Sequence, residues 1–250
     1  MVEFKACLIN EIEKLYKRKK VLVAVIISLI FIILGQLSMV VLRNGFGIRG
    51  VSSMEFPILV LAVVVNTILP LFTALVTIES FSGEFSQNTM KIAITRPISR
   101  LKFYASKLTA IMLFILANLL FVMIFSMLAG VLFNSNSFTL QSFIRVVISY
   151  IVTLMPMVIL SIIIVFFTNV IKSGIGVFFL SIFVFVTFKG LGIVLSRYSG
   201  VFITSMMNWY TLFIMETIPG FQIFLKFMMM LSYGIIFFTA GYYLFDKKEF

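Results

Sequence analysis

The sequence contains no histidine and a single cysteine, Cys7. These absences exclude the usual zinc and haem ligand sets, which draw on several His and Cys side chains at set spacings. They also exclude an intramolecular disulfide, a CxxC pair, and the Ser–His and metal-dependent hydrolase arrangements. Charge is scarce too, at 12% of residues, where a soluble domain carries roughly 25%. The nine acids are Glu3, Glu11, Glu13, Glu55, Glu79, Glu84, Glu216, Asp246 and Glu249, and none falls in the middle of an apolar run. A transporter driven by protons or sodium usually needs a buried carboxylate, so secondary transport is disfavoured. No G-x-x-x-x-G-K-S/T occurs, so the chain has no P-loop of its own. No catalytic constellation is visible.

What is present is apolar surface. The chain of 250 residues is 62% hydrophobic, with mean hydropathy +1.18, the balance of a polytopic membrane protein. A bilayer core of about 30 Å takes about 20 residues of helix. Six segments qualify, at 21–42, 56–78, 108–133, 146–168, 174–194 and 227–245. Unpaired backbone groups are not tolerated in hydrocarbon, so each segment is expected to be helical. None alternates apolar and polar residues as a barrel strand would.

Lys and Arg set the orientation. With the N-terminus inside, only Arg43, Arg49, Arg145, Lys189, Arg197 and Lys226 of the 20 basic residues fall toward the outer side. The positive-inside rule then places both termini in the cytoplasm. The net charge of +11 is thereby explained by topology, and no nucleic-acid-binding pattern accompanies it.

Residues 1–20 are not expected to be a signal peptide, because the apolar stretch Val21–Leu42 is too long and lacks a small-residue cleavage site. Phe4, Leu8, Ile12 and Leu15 form one apolar stripe, while Lys5, Glu11, Lys14, Lys17 and Arg18 occupy the rest. Two readings fit: an amphipathic helix lying on the membrane, or an extension of the first span. Val201–Met215 is apolar but short, with Asn208, Trp209 and Tyr210 in its middle. It reads as an outer re-entrant or interfacial piece within 195–222, anchored by aromatics and ended by Pro219-Gly220.

One polar stretch, 79–107, separates the second and third spans. Asn88-Thr89 can end one helix and start another. Arg96 precedes a proline and is pushed out of the helical region, and Pro97 suits the first position of the next helix. A short helix Met90–Thr95 is then expected between two breaks, flanked by Lys91, Arg96, Arg100 and Lys102. The cations alone would also serve topology and anionic headgroups.

The run Glu84-x-x-x-Asn88-Thr89, then Arg96-Pro97-Ile98-Ser99-Arg100, then Lys107 resembles the signature of the ABC type-2 permease family, membrane subunits of ATP-driven exporters. The family's usual form has Gly where this chain has Asn88. The basic N-terminal segment Glu11–Arg18, six spans and cytoplasmic termini are similar to that family as well. The resemblance implies that Met90–Thr95 is a coupling helix, with Glu84, Asn88, Thr89, Met90, Lys91, Arg96, Pro97, Ser99, Arg100 and Lys107 coupling to a cytosolic ATPase. It implies that 1–20, with Glu11, Lys14 and Arg18, is an elbow helix. It further implies two ATPase copies carrying the ATP and Mg, a second permease half of the same or a related chain, and a bacterial plasma-membrane location.

Lys189 lies within the fifth span, about 7–8 Å from its outer end at 1.5 Å per residue. It can simply snorkel, or with Lys226 it can meet an anionic group of a substrate or lipid at the outer mouth. Gly174-Ile175-Gly176 and Gly190-Leu191-Gly192 offer close helix approach around that span, and Asn66, Asn118 and Asn169 offer interhelical hydrogen bonds. The 30 Phe and 15 Met residues either face lipid and neighbouring helices or line an adaptable pocket. The fold class expected is an all-α membrane domain. The function expected is a permease moving an amphipathic or hydrophobic cargo, such as a drug, antimicrobial peptide or lipid-like compound, out of the cytoplasm. The alternative is a non-transporting scaffold or sensor that recruits a soluble partner through 79–107.

Overall fold

Long apolar runs form helices wherever glycine and proline permit, and the computed structural model follows that rule through most of the chain. It describes residues 2–17, 19–46, 51–86, 98–134, 138–171 and 173–248. Helix α1 is Val2–Tyr16, α2 Lys19–Phe46, α3 Glu55–Asn66, α4 Ile68–Ser86, α5 Arg100–Phe133, α6 Leu140–Val170 and α7 Gly174–Val194. Two short 3-10 helices, Ser196–Val201 and Trp209–Phe213, flank the one-turn helix α8 at Ile203–Met206. Helix α9, Gly220–Lys247, completes the order. Among the described residues no strand forms.

Five helices, α2, α5, α6, α7 and α9, are long and apolar enough to cross a membrane, and there are six if the bent pair α3 and α4 is counted as one span. That sixth span corrects the sequence reading of 56–78 as one continuous helix. It is broken at Thr67 and bent by 47°. Pro70 is a physical reason: it has no N–H for the carbonyl four residues back, that of Asn66. The helix of the third span opens three residues later than expected, at Arg100 instead of Pro97. Ser99 is extended (φ −67°, ψ 143°) and its hydroxyl accepts from the Lys102 N–H, so Ser99, and not a residue before Pro97, caps α5. Pro97 was expected at the first helical position; α5 instead opens at Arg100. Asn88, Thr89, Met90, Lys91, Arg96, Pro97 and the expected helix Met90–Thr95 lie outside the described residues, as does Arg18.

Helix α6 is the centre of the bundle, packed against α4, α5 and α9. Its Tyr150 reaches across to donate to the Pro57 carbonyl at 2.8 Å and lies 3.1 Å from the Ser126 hydroxyl of α5. Around it gather Phe56, Leu61, Ile115, Leu119, Val146 and Met157, all buried. Helices α7 and α9 are the least buried of the spans. Asn169 donates to the Gly241 carbonyl at 3.1 Å, joining α6 to α9, and Gln36 pairs with Asn134, joining α2 to the end of α5.

Close approach is found at some of the expected glycines and not at others. A Cβ on Gly174 would meet Ser82 Oγ at 3.2 Å and Ile78 Cγ2 at 3.3 Å, where α7 starts against α4. Gly190 has nothing within 4 Å, and Gly192 meets only Phe202 and Ser199, at the edge of contact. The crowded glycine that the sequence reading passed over is Gly130, whose added Cβ would collide with the Ser53 carbonyl.

Candidate functional site

Two polar clusters stand in this apolar bundle, one at the α1 end and one at the opposite end. At the first, α1 lies on α5. The face that packs is Cys7, Glu11 and Leu15, with Phe4, Leu8 and Ile12 half-buried beside it. This corrects the placing of Glu11 on the polar face: it is 3% exposed. The spacing of four puts Cys7, Glu11 and Leu15 in one row, and periodicity of apolar residues alone could not find it because its middle member is charged.

Glu11 is buried against Lys107, which is 0% exposed, with Nζ to Oε2 at 2.8 Å. Its other oxygen takes Lys14 at 2.8 Å. The Lys107 ammonium also donates to the Ser80 carbonyl of α4 at 3.1 Å and stands 4.9 Å from the Phe103 ring centroid and 5.9 Å from that of Phe81. A buried charge must be paired and hydrogen-bonded to persist, and these groups satisfy it from three helices. Around the pair, Cys7 Sγ lies 3.0 Å from Ser106 Oγ, and Lys102 binds Glu3 at 2.9 Å. Lys102 holds the Glu3 carboxyl below its ordinary value through the hydrogen bond and its charge.

The geometry joins both flanks of the 87–97 segment. Helix α4 leads into it and α5 leads out, and Lys107 fastens α5 to the Ser80 backbone of α4 and to Glu11 of α1. Of the residues the sequence singles out, Lys107, Glu11 and Lys14 thus converge. Arg100 does not join them. Its guanidinium donates to the carbonyls of Asp246 and, at 3.4 Å, Lys248, where a cation suits the C-terminus of α9. Ser99 is spent on the cap. Glu84 lies in the last turn of α4.

The second cluster forms where two helices lack a backbone donor. Pro156 sits inside α6 and leaves the Val152 carbonyl without its i+4 partner. Trp209 Nε1 donates to that carbonyl at 2.8 Å. The Asn66 carbonyl, left open by Pro70, accepts from Lys189 Nζ at 3.3 Å. The Asn66 side chain donates to its own helix at Ala62 and to Asn208 Oδ1, both at 2.8 Å. Residues 195–219 therefore cover the bundle through Asn208 and Trp209. Trp209 and Tyr210 are buried against α6 and its neighbours instead of standing as surface anchors. Lys189 is exposed, with its ammonium 5.7 Å from the Phe185 ring. Lys226 is half-buried in α9. Sequence reasoning missed both proline-linked bonds, although a proline four residues after a mid-span carbonyl is a readable signal that some donor must come from elsewhere.

Compared with known families, residues 7–190 match the profile described as "ABC-2 family transporter protein". The matched stretch contains Cys7, Glu11, Lys14, Lys107 and Lys189, and it stops before Trp209. No curated protein matches the chain.

Proposed function

This chain belongs to the ABC-2 transporter family, and from that premise we propose that it is the permease of an ATP-driven exporter, taking its energy through the segment between α4 and α5. Family membership makes it an integral membrane permease that partners with an ATP-binding-cassette component. The finer reading is ours. Two cytosolic ATPase copies, holding the ATP and Mg, dock on 84–97, and two permease halves form the pathway in a bacterial plasma membrane with their termini inside. The cargo is amphipathic or hydrophobic and travels outward.

The observation that carries this reading is the Lys107 hub. A load applied to the loop between α4 and α5 meets a joint that fastens both of its flanks to each other and to α1. A scaffold needs only an exposed epitope. A transducer needs the loop's motion to reach the spans, and a buried ion pair shared by three helices supplies that stiffness. Lys107 and Glu11 therefore act as positioning residues, Arg100 braces α5 against α9, and Glu84, Asn88, Met90, Lys91 and Arg96 belong to the docking segment.

The test is affinity purification of the detergent-solubilised chain from its native host, with the wild type compared with a variant in which 87–95 is replaced by a Gly-Ser linker of equal length. A P-loop ATPase recovered with the wild type and lost with the variant is the expected result. Folded wild type that brings down no ATPase overturns the exporter reading in favour of the scaffold.

A further inference from the structure

Lys189 is a cation set beside apolar cavities, and among the described residues no carboxylate forms an ion pair with it. Its contacts are the Asn66 carbonyl at 3.3 Å, at the long end of hydrogen bonding, and the Phe185 ring. An ammonium has three donors, so this one is under-used in a setting where charge is costly. Directly beside Asn66 opens a cavity of about 240 Å³ between α4, α6 and α7, whose wall includes Thr67, Pro70, Leu71, Ile182, Phe185 and Val186. On the other side of Phe185 lies a second cavity of about 410 Å³, reaching to α9 and to Phe202 and Ile203 of the covering segment. Leu160, Ile164, Ser181 and Phe185 line both.

The lining asks for hydrocarbon. The hydroxyls that border the cavities are already engaged: Ser181 donates to Val177 and Tyr233 to Val201. A polar ligand would find no donor or acceptor inside, while an alkyl chain needs none. The combined space is of the order found for small-molecule sites, roughly 300–1,000 Å³. The cation lies against two parts of the smaller cavity's wall: its ammonium is bonded to the carbonyl of Asn66, the residue before Thr67, and stands 5.7 Å from the Phe185 ring.

We propose that these adjoining cavities, with Lys189 beside them, bind a single-chain anionic amphiphile, its carboxylate or phosphate on the Lys189 ammonium and its alkyl chain between α4, α6 and α7. The anion takes over from the Asn66 carbonyl as the ammonium's main partner. This deepens the exporter reading by naming the class of cargo, and it rests on that reading for calling the occupant a cargo. Binding itself does not depend on the ATPase.

Trp209 is the chain's sole tryptophan, and it packs with Ile203 and Tyr233, which also line the larger cavity. Bromine quenches indole fluorescence on close approach, so the chain carries its own reporter. The protein is placed in phosphatidylcholine nanodiscs at pH 9, above the ordinary carboxyl pKa and below that of lysine. It is titrated with dibromostearate, with its methyl ester, and with the matching brominated alkyl phosphate. Both anions are expected to quench saturably at about ten-fold lower membrane fraction than the ester, the usual scale of one charge-assisted hydrogen bond. The ester enters bilayers at least as well as the acid, so partition cannot produce that order. K189M removes the preference, K189R keeps it, and K226M leaves it unchanged. If K189M does not fold, V186F replaces it: this side chain is 60% exposed and its enlargement fills the smaller cavity, abolishing anion quenching. Curves for the carboxylate and the phosphate that both coincide with the ester's in the wild type, or a preference that survives K189M, overturn the proposal. Phosphate quenching without carboxylate quenching narrows the headgroup and supports it. A wild type that binds the anion but recovers no ATPase sinks the exporter reading and leaves the site standing.

Discussion

Breaking the Glu11–Lys107 pair from either side should not have the same effect. Removing one partner of a buried pair costs about 3–5 kcal/mol, mostly because the other charge stays buried. Lys107 is fully buried, so when Glu11 is removed its ammonium cannot turn to water. Glu11 without Lys107 still has Lys14, which is 36% exposed and reaches water. E11L should therefore fall at the upper end, about 4–5 kcal/mol, and K107M at the lower end, about 3 kcal/mol. The double variant E11L/K107M removes both charges and should be no worse than K107M alone. For a chain of this length about 2–4 °C of Tm corresponds to each kcal/mol, so E11L is expected to melt at least about 8 °C below wild type. Trp209 fluorescence follows the melting in detergent. Cys7, buried and 3.0 Å from Ser106 Oγ, offers a second reading. Its alkylation rate should rise sharply in E11L as α1 lifts from α5, and return toward wild type in the double variant. A K107M protein less stable than E11L, or a double variant that simply sums the two losses, would refute the reasoning.

Other expectations follow from the same geometry. W209F leaves the Val152 carbonyl buried without its donor and should cost about 1–3 kcal/mol, a loss reduced in a P156A background because the helix then supplies its own N–H. Thermal melts of the two variants and their combination check this. G130A should destabilise the join between α5 and residues 53–56, whereas G190A meets nothing and should gain up to about 1 kcal/mol of helix propensity, both read by Tm. The Glu3–Lys102 bond gives stability that is complete above the ordinary carboxylate pKa and is lost as pH falls through the lowered value of Glu3. The melting temperature of the wild type should therefore drop as pH falls through that value, and that of K102M, which lacks the bond, should depend less on pH there.

The spans were legible because about 20 apolar residues in sequence admit one structure in hydrocarbon, and α7 occupies the expected 174–194. The break in the second span was not read, although Pro70 marks it. A proline near the start of a helix is ordinary, and only the neighbouring Asn66, at the end of α3, makes it a break. Lys107 was singled out through its place in a motif, yet its partner was misplaced. Glu11 reads as a surface charge in any helical projection, and its burial depends on a lysine 96 residues away. Gly190-Leu191-Gly192 shows the converse error, since small residues mark close packing only where another helix arrives. Asn66 was read as an interhelical donor, and it does bond Asn208, but in a covering segment and not in another span.

Two spans of this protein borrow a backbone partner from chain that is made later. The Asn66 carbonyl waits for Lys189 and the Val152 carbonyl waits for Trp209. During synthesis the second and fourth spans therefore emerge with a bare polar group at membrane depth, and stay so until the last third of the chain follows. Their final setting against one another is thus tied to the end of translation. A ribosome that stalls before residue 209 leaves behind a set of helices that are individually inserted but collectively unlatched, the kind of intermediate that membrane quality control is built to find.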